Sequence, residues 1–203
     1  GKANVLMVGD SLNLSLFPGL AQFDDYNLLL LAASAQTPFF DVRTTEWNDT
    51  YRERYFELTN QALEYALQNQ EIKVVVMSFL NGVALTNPTD PLKITDVRHP
   101  ERKEARAIFT DAFRVTLDRL TRAGKSVVFV LPNPDIRYDI KTCLNGFRPI
   151  QLPGGQSRCG EALASYMRRG GEAYRSWVNS VLKDYPEVQV FDLAHYFCDA
   201  DSC

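Results

Sequence analysis

Five short apolar runs, at 5–8, 26–33, 73–80, 126–131 and 188–192, recur along the 203-residue chain, with a stretch of helical period between nearly every pair. Apolar runs of this length read as buried strands. Between them, positions 51, 55, 58, 62, 63, 66 and 67, and then 105, 108, 109, 112, 113, 116, 117 and 120, form mainly apolar stripes. That spacing predicts helices over 51–70 and 101–123. A further helix is expected over 161–184, interrupted at Gly170-Gly171, and another directly after Ser11, kinked or broken at Pro18-Gly19. Residues 39–50, 83–100 and 135–160 read as irregular. Continuously apolar strands alternating with amphipathic helices imply a parallel sheet covered on both faces. The sequence contains neither a second core nor a linker, so 1–203 is expected to be one domain.

The first strand runs straight into Gly9-Asp10-Ser11. Open α/β sheets bind ligands at the C-terminal edge of their strands. A helix N-terminus at that edge favours developing negative charge. Ser11 is therefore suited to act as a nucleophile; the alternative is that Asp10 or Ser11 merely caps the helix. The small-residue loop Ser34-Ala35-Gln36-Thr37-Pro38 would leave the same edge and let backbone approach a ligand. Asn81 follows the third strand. Its amide could donate to an oxyanion, an interaction worth roughly 3–4 kcal/mol of barrier, although Asn-Gly is also a common turn dipeptide.

A nucleophilic serine needs a base within hydrogen-bond reach, oriented by a third group. The chain has two histidines, His99 and His195, each three residues after an aspartate, Asp96 and Asp192. His99 lies in the long loop after the third strand and is expected at the surface near a helix start. His195 follows the fifth strand, on the edge expected for Ser11.

A net charge of −3 argues against nucleic acid as a partner, because no basic excess is available to neutralise phosphates. No apolar run approaches the roughly 18 residues of a membrane span. The chain opens on Gly1-Lys2 almost directly before a strand, which suggests a piece of something longer. Four cysteines allow three connectivities. Sequential pairing, Cys143–Cys159 and Cys198–Cys203, would staple two local loops in an oxidising compartment. Reduced thiols and a zinc site are the alternatives, the latter without any C-x2-C spacing. Phe39, Phe40, Trp47 and Tyr51 could line a sugar-binding face or pack a core. Arg168-Arg169 and the 98–103 run read as solvated charge.

Gly9-Asp10-Ser11 after a first strand resembles the first sequence block of the SGNH (GDSL-type) hydrolases. More narrowly, S-L-F-P-G-L after that motif, A-S-A-Q-T-P, V-L-P-N-P and V-F-D-L-A-H-Y-F-C-D-A-D-S-C make nearly the whole chain similar to the C-terminal SGNH domains fused to membrane-embedded acyltransferases. The resemblance implies a three-layer α/β/α sandwich of flavodoxin-like kind around a five-stranded parallel sheet. It implies Ser11 as nucleophile, with an oxyanion hole drawn from its own N–H, the Ser34/Ala35 loop and Asn81. It further implies two local disulfides and a monomeric domain at the periplasmic face of the bacterial inner membrane. The function implied is O-acetylation of a cell-surface glycan such as lipopolysaccharide O-antigen through acyl-Ser11, with no cofactor. The acyl group would come from the membrane module. A carbohydrate O-acetylesterase and a non-catalytic glycan-binding scaffold are the alternatives. Two departures stand out: Leu12 occupies a position where the family commonly has histidine, and Ala33-Ser34-Ala35 stands where a glycine is usual. The base has two readings. Asp192 and His195 form the working pair, or, as the family pattern favours, a D-x-x-H lies beyond Cys203 and this piece lacks its C-terminal segment.

Overall fold

The computed structural model describes residues 2–44, 49–80, 82, 93–134, 162–167 and 171–203, with the side chains of 49–53 excepted. Five strands, β1 (Val5–Gly9), β2 (Leu28–Ala32), β4 (Val74–Ser78), β6 (Ser126–Leu131) and β7 (Gln189–Asp192), form one sheet in the order β2-β1-β4-β6-β7. Every pairing in it is parallel. Among the described residues the helices are α1 (Ser11–Leu20), α2 (Asp49–Gln68), α3 (Ala105–Arg122), α4 (Leu163–Tyr166), α5 (Glu172–Leu182) and α6 (Ala194–Phe197). This is the parallel α/β architecture the alternation of apolar runs and helical stripes predicts.

Alternate residues of β1, β4 and β6 feed two separate cores, as the two-residue side-chain period requires. Leu6, Val8, Val75, Met77, Val127 and Phe129 pack with Phe109, Phe113 and Leu117 of α3 and with Tyr174 and Val178 of α5. Val5, Met7, Val76 and Val130 point the other way and pack with Leu12, Leu16 and Leu20 of α1. Beside α1 this second face holds an apolar hollow of about 530 Å³, lined by residues including Leu20, Val74, Val128 and Phe191.

The two outer strands are less buried than their apolar composition suggests. β2 has one neighbouring strand and is mostly half-exposed. β7, at the opposite edge, leaves Val190 and Phe191 partly open. The helix after Ser11 carries Pro18 and Gly19 inside it and ends one residue later, at Leu20, rather than breaking at them. Two short strands were not legible in the periodicity. β3 (Val42–Thr44) and β5 (Ile94–Asp96) pair antiparallel within stretches that read as irregular. Three residues are too few for a period, and the partners lie about fifty positions apart. Phe39 and Phe40 are fully buried, Phe39 against Phe79, Phe109 and Phe113, so these two rings belong to the core and not to a sugar-binding face. Trp47, the Tyr51 side chain, Arg168-Arg169 and the whole 135–160 region lie outside the described residues. No helix among the described residues is long and apolar enough to cross a membrane.

Candidate active site

β1 ends in a glycine for a steric reason. A Cβ at Gly9 would fall 2.1 Å from the Ser78 carbonyl oxygen of the adjacent β4, and the Gly9 φ of +140° is one that side-chain-bearing residues rarely adopt. The close approach lets the next residue, Asp10, reach under the end of β4. Asp10 is fully buried. Its Oδ1 accepts from the Leu12 N–H (3.2 Å) and from the Ser78 hydroxyl (3.2 Å), and its Oδ2 accepts from the Leu80 N–H. Asp10 is therefore the N-cap of α1 and also the tie between the β1 and β4 ends.

That assignment settles which residue caps the helix. Because Asp10 takes the cap, Ser11 is left exposed as the first residue of α1. Asn13, fully buried one turn on, donates to the Val8 carbonyl at 2.8 Å and holds the start of α1 down onto β1.

The loop after β2 comes to the same edge. Ala33 N donates to the Gly9 carbonyl (3.1 Å), prolonging the pairing with β1 by one rung. Ser34 is exposed and Ala35 is buried. Ala35 adopts φ +58°, the left-handed region that suits glycine, and its carbonyl accepts from the Thr44 hydroxyl at 3.0 Å. The chain thus keeps, with an alanine, a backbone conformation that a glycine adopts without strain. Ser11, Ser34 and Ala35 therefore belong to turns leaving the neighbouring strands β1 and β2. The third turn, after β4, runs through Leu80 and Gly82; Asn81 itself lies outside the described residues.

Asp192 and His195 sit elsewhere along the edge. β7 is three strand spacings from β1, about 14 Å. Arg175, on α5, donates to both Asp192 oxygens, Nε to Oδ2 at 3.2 Å and Nη2 to Oδ1 at 2.8 Å. Arg175 also donates to the Pro132 carbonyl at 2.9 Å and to the Tyr166 hydroxyl. Burial alone would push the Asp192 carboxyl up, but the Arg175 guanidinium and the Ala194 N–H outweigh it and hold it below its ordinary value. His195 Nε2 is 3.9 Å from Asp192 Oδ2, and its side chain is 82% exposed. The Asp192 carboxylate is thus held mainly by arginine, with the imidazole at its margin.

The other histidine is a surface residue. Asp96 Oδ1 accepts from the N–H groups of Arg98 and His99 and shapes their turn, while His99 Nδ1 faces Glu101 at 3.5 Å. Cys198 and Cys203 are joined in a disulfide; Cys143 and Cys159 lie outside the described residues. Sequence reasoning missed Arg175 and Tyr174, both buried polar side chains on α5. Arg175 could have been found as a cation within an amphipathic stripe; nothing in the sequence distinguishes Tyr174 from an ordinary core aromatic.

The whole chain, residues 1–203, matches the family model described as the SGNH domain fused to AT3 domains. Two solved structures are similar to it. One, a protein of Slackia heliotrinireducens assigned to the SGNH hydrolases, is 14% identical with a TM-score of 0.56, over 97% of this chain and 82% of that one. The other, a Bacillus subtilis protein, is 16% identical with a TM-score of 0.51, over 97% of this chain and 46% of its own. Identities this low speak to the fold alone. Among curated proteins none matches the sequence.

Proposed function

This chain belongs to the SGNH family, as a domain of the kind that related proteins carry fused to AT3 membrane acyltransferase domains, and on that premise we propose that it transfers an acyl group through Ser11. The observation that carries this reading is the division of labour in the first βα turn. Asp10 is buried and takes the cap, so Ser11 is left as an exposed residue at a helix N-terminus. A serine used structurally would more often be the cap itself.

In the proposed reaction Ser11 Oγ attacks the donor's acyl carbonyl and gives up its proton to a base. The resulting oxyanion is stabilised by N–H groups at Ser11 and the Ser34/Ala35 loop and by the Asn81 amide. Collapse expels the donor's leaving group, which takes a proton, and leaves acyl-Ser11. A sugar hydroxyl then attacks that ester, loses its proton to the base and departs O-acylated, and Ser11 regains its own proton. We propose acetyl as the acyl group, a cell-surface glycan as acceptor, the membrane module as donor and the periplasm as the setting. These four points extend the fusion to AT3 domains and the family resemblance. The Cys198–Cys203 loop, stapled across five residues, suits an oxidising compartment.

We further propose that the general base lies beyond Cys203 and not at His195. Two features speak against His195: Asp192 is committed to Arg175, and the imidazole is largely in solvent; the place beyond Cys203 rests on the family resemblance. The test is the complete protein with Ser11→Ala. Loss of glycan O-acetylation, together with loss of a 42-Da acetyl adduct (about the mass of one acetyl less one proton) on the Ser11 peptide, is expected. Unchanged O-acetylation would refute the assignment.

A further inference from the structure

One peptide unit joins the Ser11 turn to a helix on the far side of the sheet. The peptide between Phe79 and Leu80, just past β4, has its N–H bound by Asp10 Oδ2. Its carbonyl, the Phe79 oxygen, accepts from the Tyr174 hydroxyl of α5 at 3.2 Å. In a trans peptide these two groups point in opposite directions, so Asp10 and Tyr174 grip the same plane from opposite sides. The Tyr174 ring adds a second hold. It presses so closely on Gly82 that a Cβ there would lie 2.4 Å from three of its atoms. Gly82 N also donates to the Phe79 carbonyl, at 3.2 Å.

The ring cannot easily give way. Tyr174 is fully buried and meets Phe109 and Trp177 edge-on, each with ring centroids 6.4 Å apart. Burial first, and the Asp10 charge second, push the Tyr174 hydroxyl well above its ordinary value. The shift favours the protonated hydroxyl, the form that donates to the Phe79 carbonyl. Carboxylate, N–H, C=O and O–H line up as a chain of hydrogen bonds that polarise one another.

We infer that Tyr174 is a positioning residue for the Ser11 chemistry: through the Phe79–Leu80 peptide it sets Asp10, and with it the turn that presents Ser11. The inference rests on Ser11 being the nucleophile. Tyr174 touches no reacting atom, so its effect would appear in the rate of bond formation and not in binding.

The experiment uses the complete protein and a fluorophosphonate probe, which bonds to an activated serine with loss of fluoride. The rate constant for labelling and the probe's binding constant are read separately, alongside the thermal midpoint. Tyr174→Phe keeps the ring and deletes the hydroxyl. It is expected to slow labelling about tenfold with the binding constant unchanged and the fold retained. Labelling at the parent rate would overturn the inference. Gly82→Ala, which pushes the ring off the turn, should slow labelling in the same way and decides the matter should Tyr174→Phe not fold; parental labelling by that variant would count equally against the inference. In a double-mutant cycle with Asp10→Asn the two losses should be non-additive, because both act through one peptide. Additive losses would mean that Tyr174 is structural only. Ser11→Ala separates the two layers. If that variant, or an unlabelled parent, shows Ser11 not to be the labelled group, the nucleophile assignment fails. If Ser11→Ala abolishes labelling while Tyr174→Phe labels normally, only the role of Tyr174 fails.

Discussion

Arg175 grips both oxygens of Asp192, and in doing so fastens the end of β7 to α5 and, through the Pro132 carbonyl, to the end of β6. A carboxylate held this way is a fixed part of the sheet edge. It is poorly placed to follow an imidazole through a catalytic cycle, because turning toward His195 would leave a buried guanidinium short of its counter-ion.

The pair makes stability depend on acid. The folded protein holds the Asp192 carboxyl below its ordinary value. A depressed carboxyl contributes stability that is complete above its unfolded value, about 3.9, and is lost as pH falls through the folded value. Urea midpoints measured downward from pH 6 should therefore fall more steeply in the parent than in Asp192→Asn. Arg175→Ala, which strands the carboxylate, should cost about 3 kcal/mol at neutral pH.

His195→Ala should leave O-acetylation by the complete protein within about twofold of the parent. The side chain is 82% exposed and stands 3.9 Å from a carboxylate already engaged. A thousandfold loss with an intact fold would instead identify His195 as the base.

Gly9→Ala should be among the most damaging substitutions in the chain. The new methyl would meet the Ser78 carbonyl at 2.1 Å, and the φ of +140° disfavours any Cβ. A loss of about 3 kcal/mol, or failure to fold, is expected from denaturant unfolding; a stability equal to the parent's would contradict the steric role given to Gly9 at the β1 end.

Ala35→Gly should act in the opposite direction. At φ +58° an alanine carries left-handed strain that glycine lacks. After glycine's extra unfolded-state entropy is subtracted, a gain of about 0.5 kcal/mol is expected. A lower thermal midpoint in the glycine variant would indicate that the Ala35 methyl, which is buried, matters more than the strain.

The sequence by itself determined the parallel sheet, its helical cover and the strand-to-helix turn that carries Ser11. Those features are written in local periodicity: strands such as β6 (Ser126–Leu131) and the stripe of α3 declare themselves within one or two dozen residues. It could not determine β3 and β5, whose pairing joins Val42 to Asp96, nor which apolar strands lie at an edge. At the site, the motif and its neighbours were legible as candidates, but their division of roles was not. That Asp10 is held at the end of β4 by Ser78 and Leu80 while it caps α1, that Asp192 answers to Arg175, and that Tyr174 grips the peptide bound by Asp10 all depend on contacts between residues 17 to 95 positions apart. Such contacts leave no period in the chain, because they are set by which strand lies beside which, and only the folded sheet decides that.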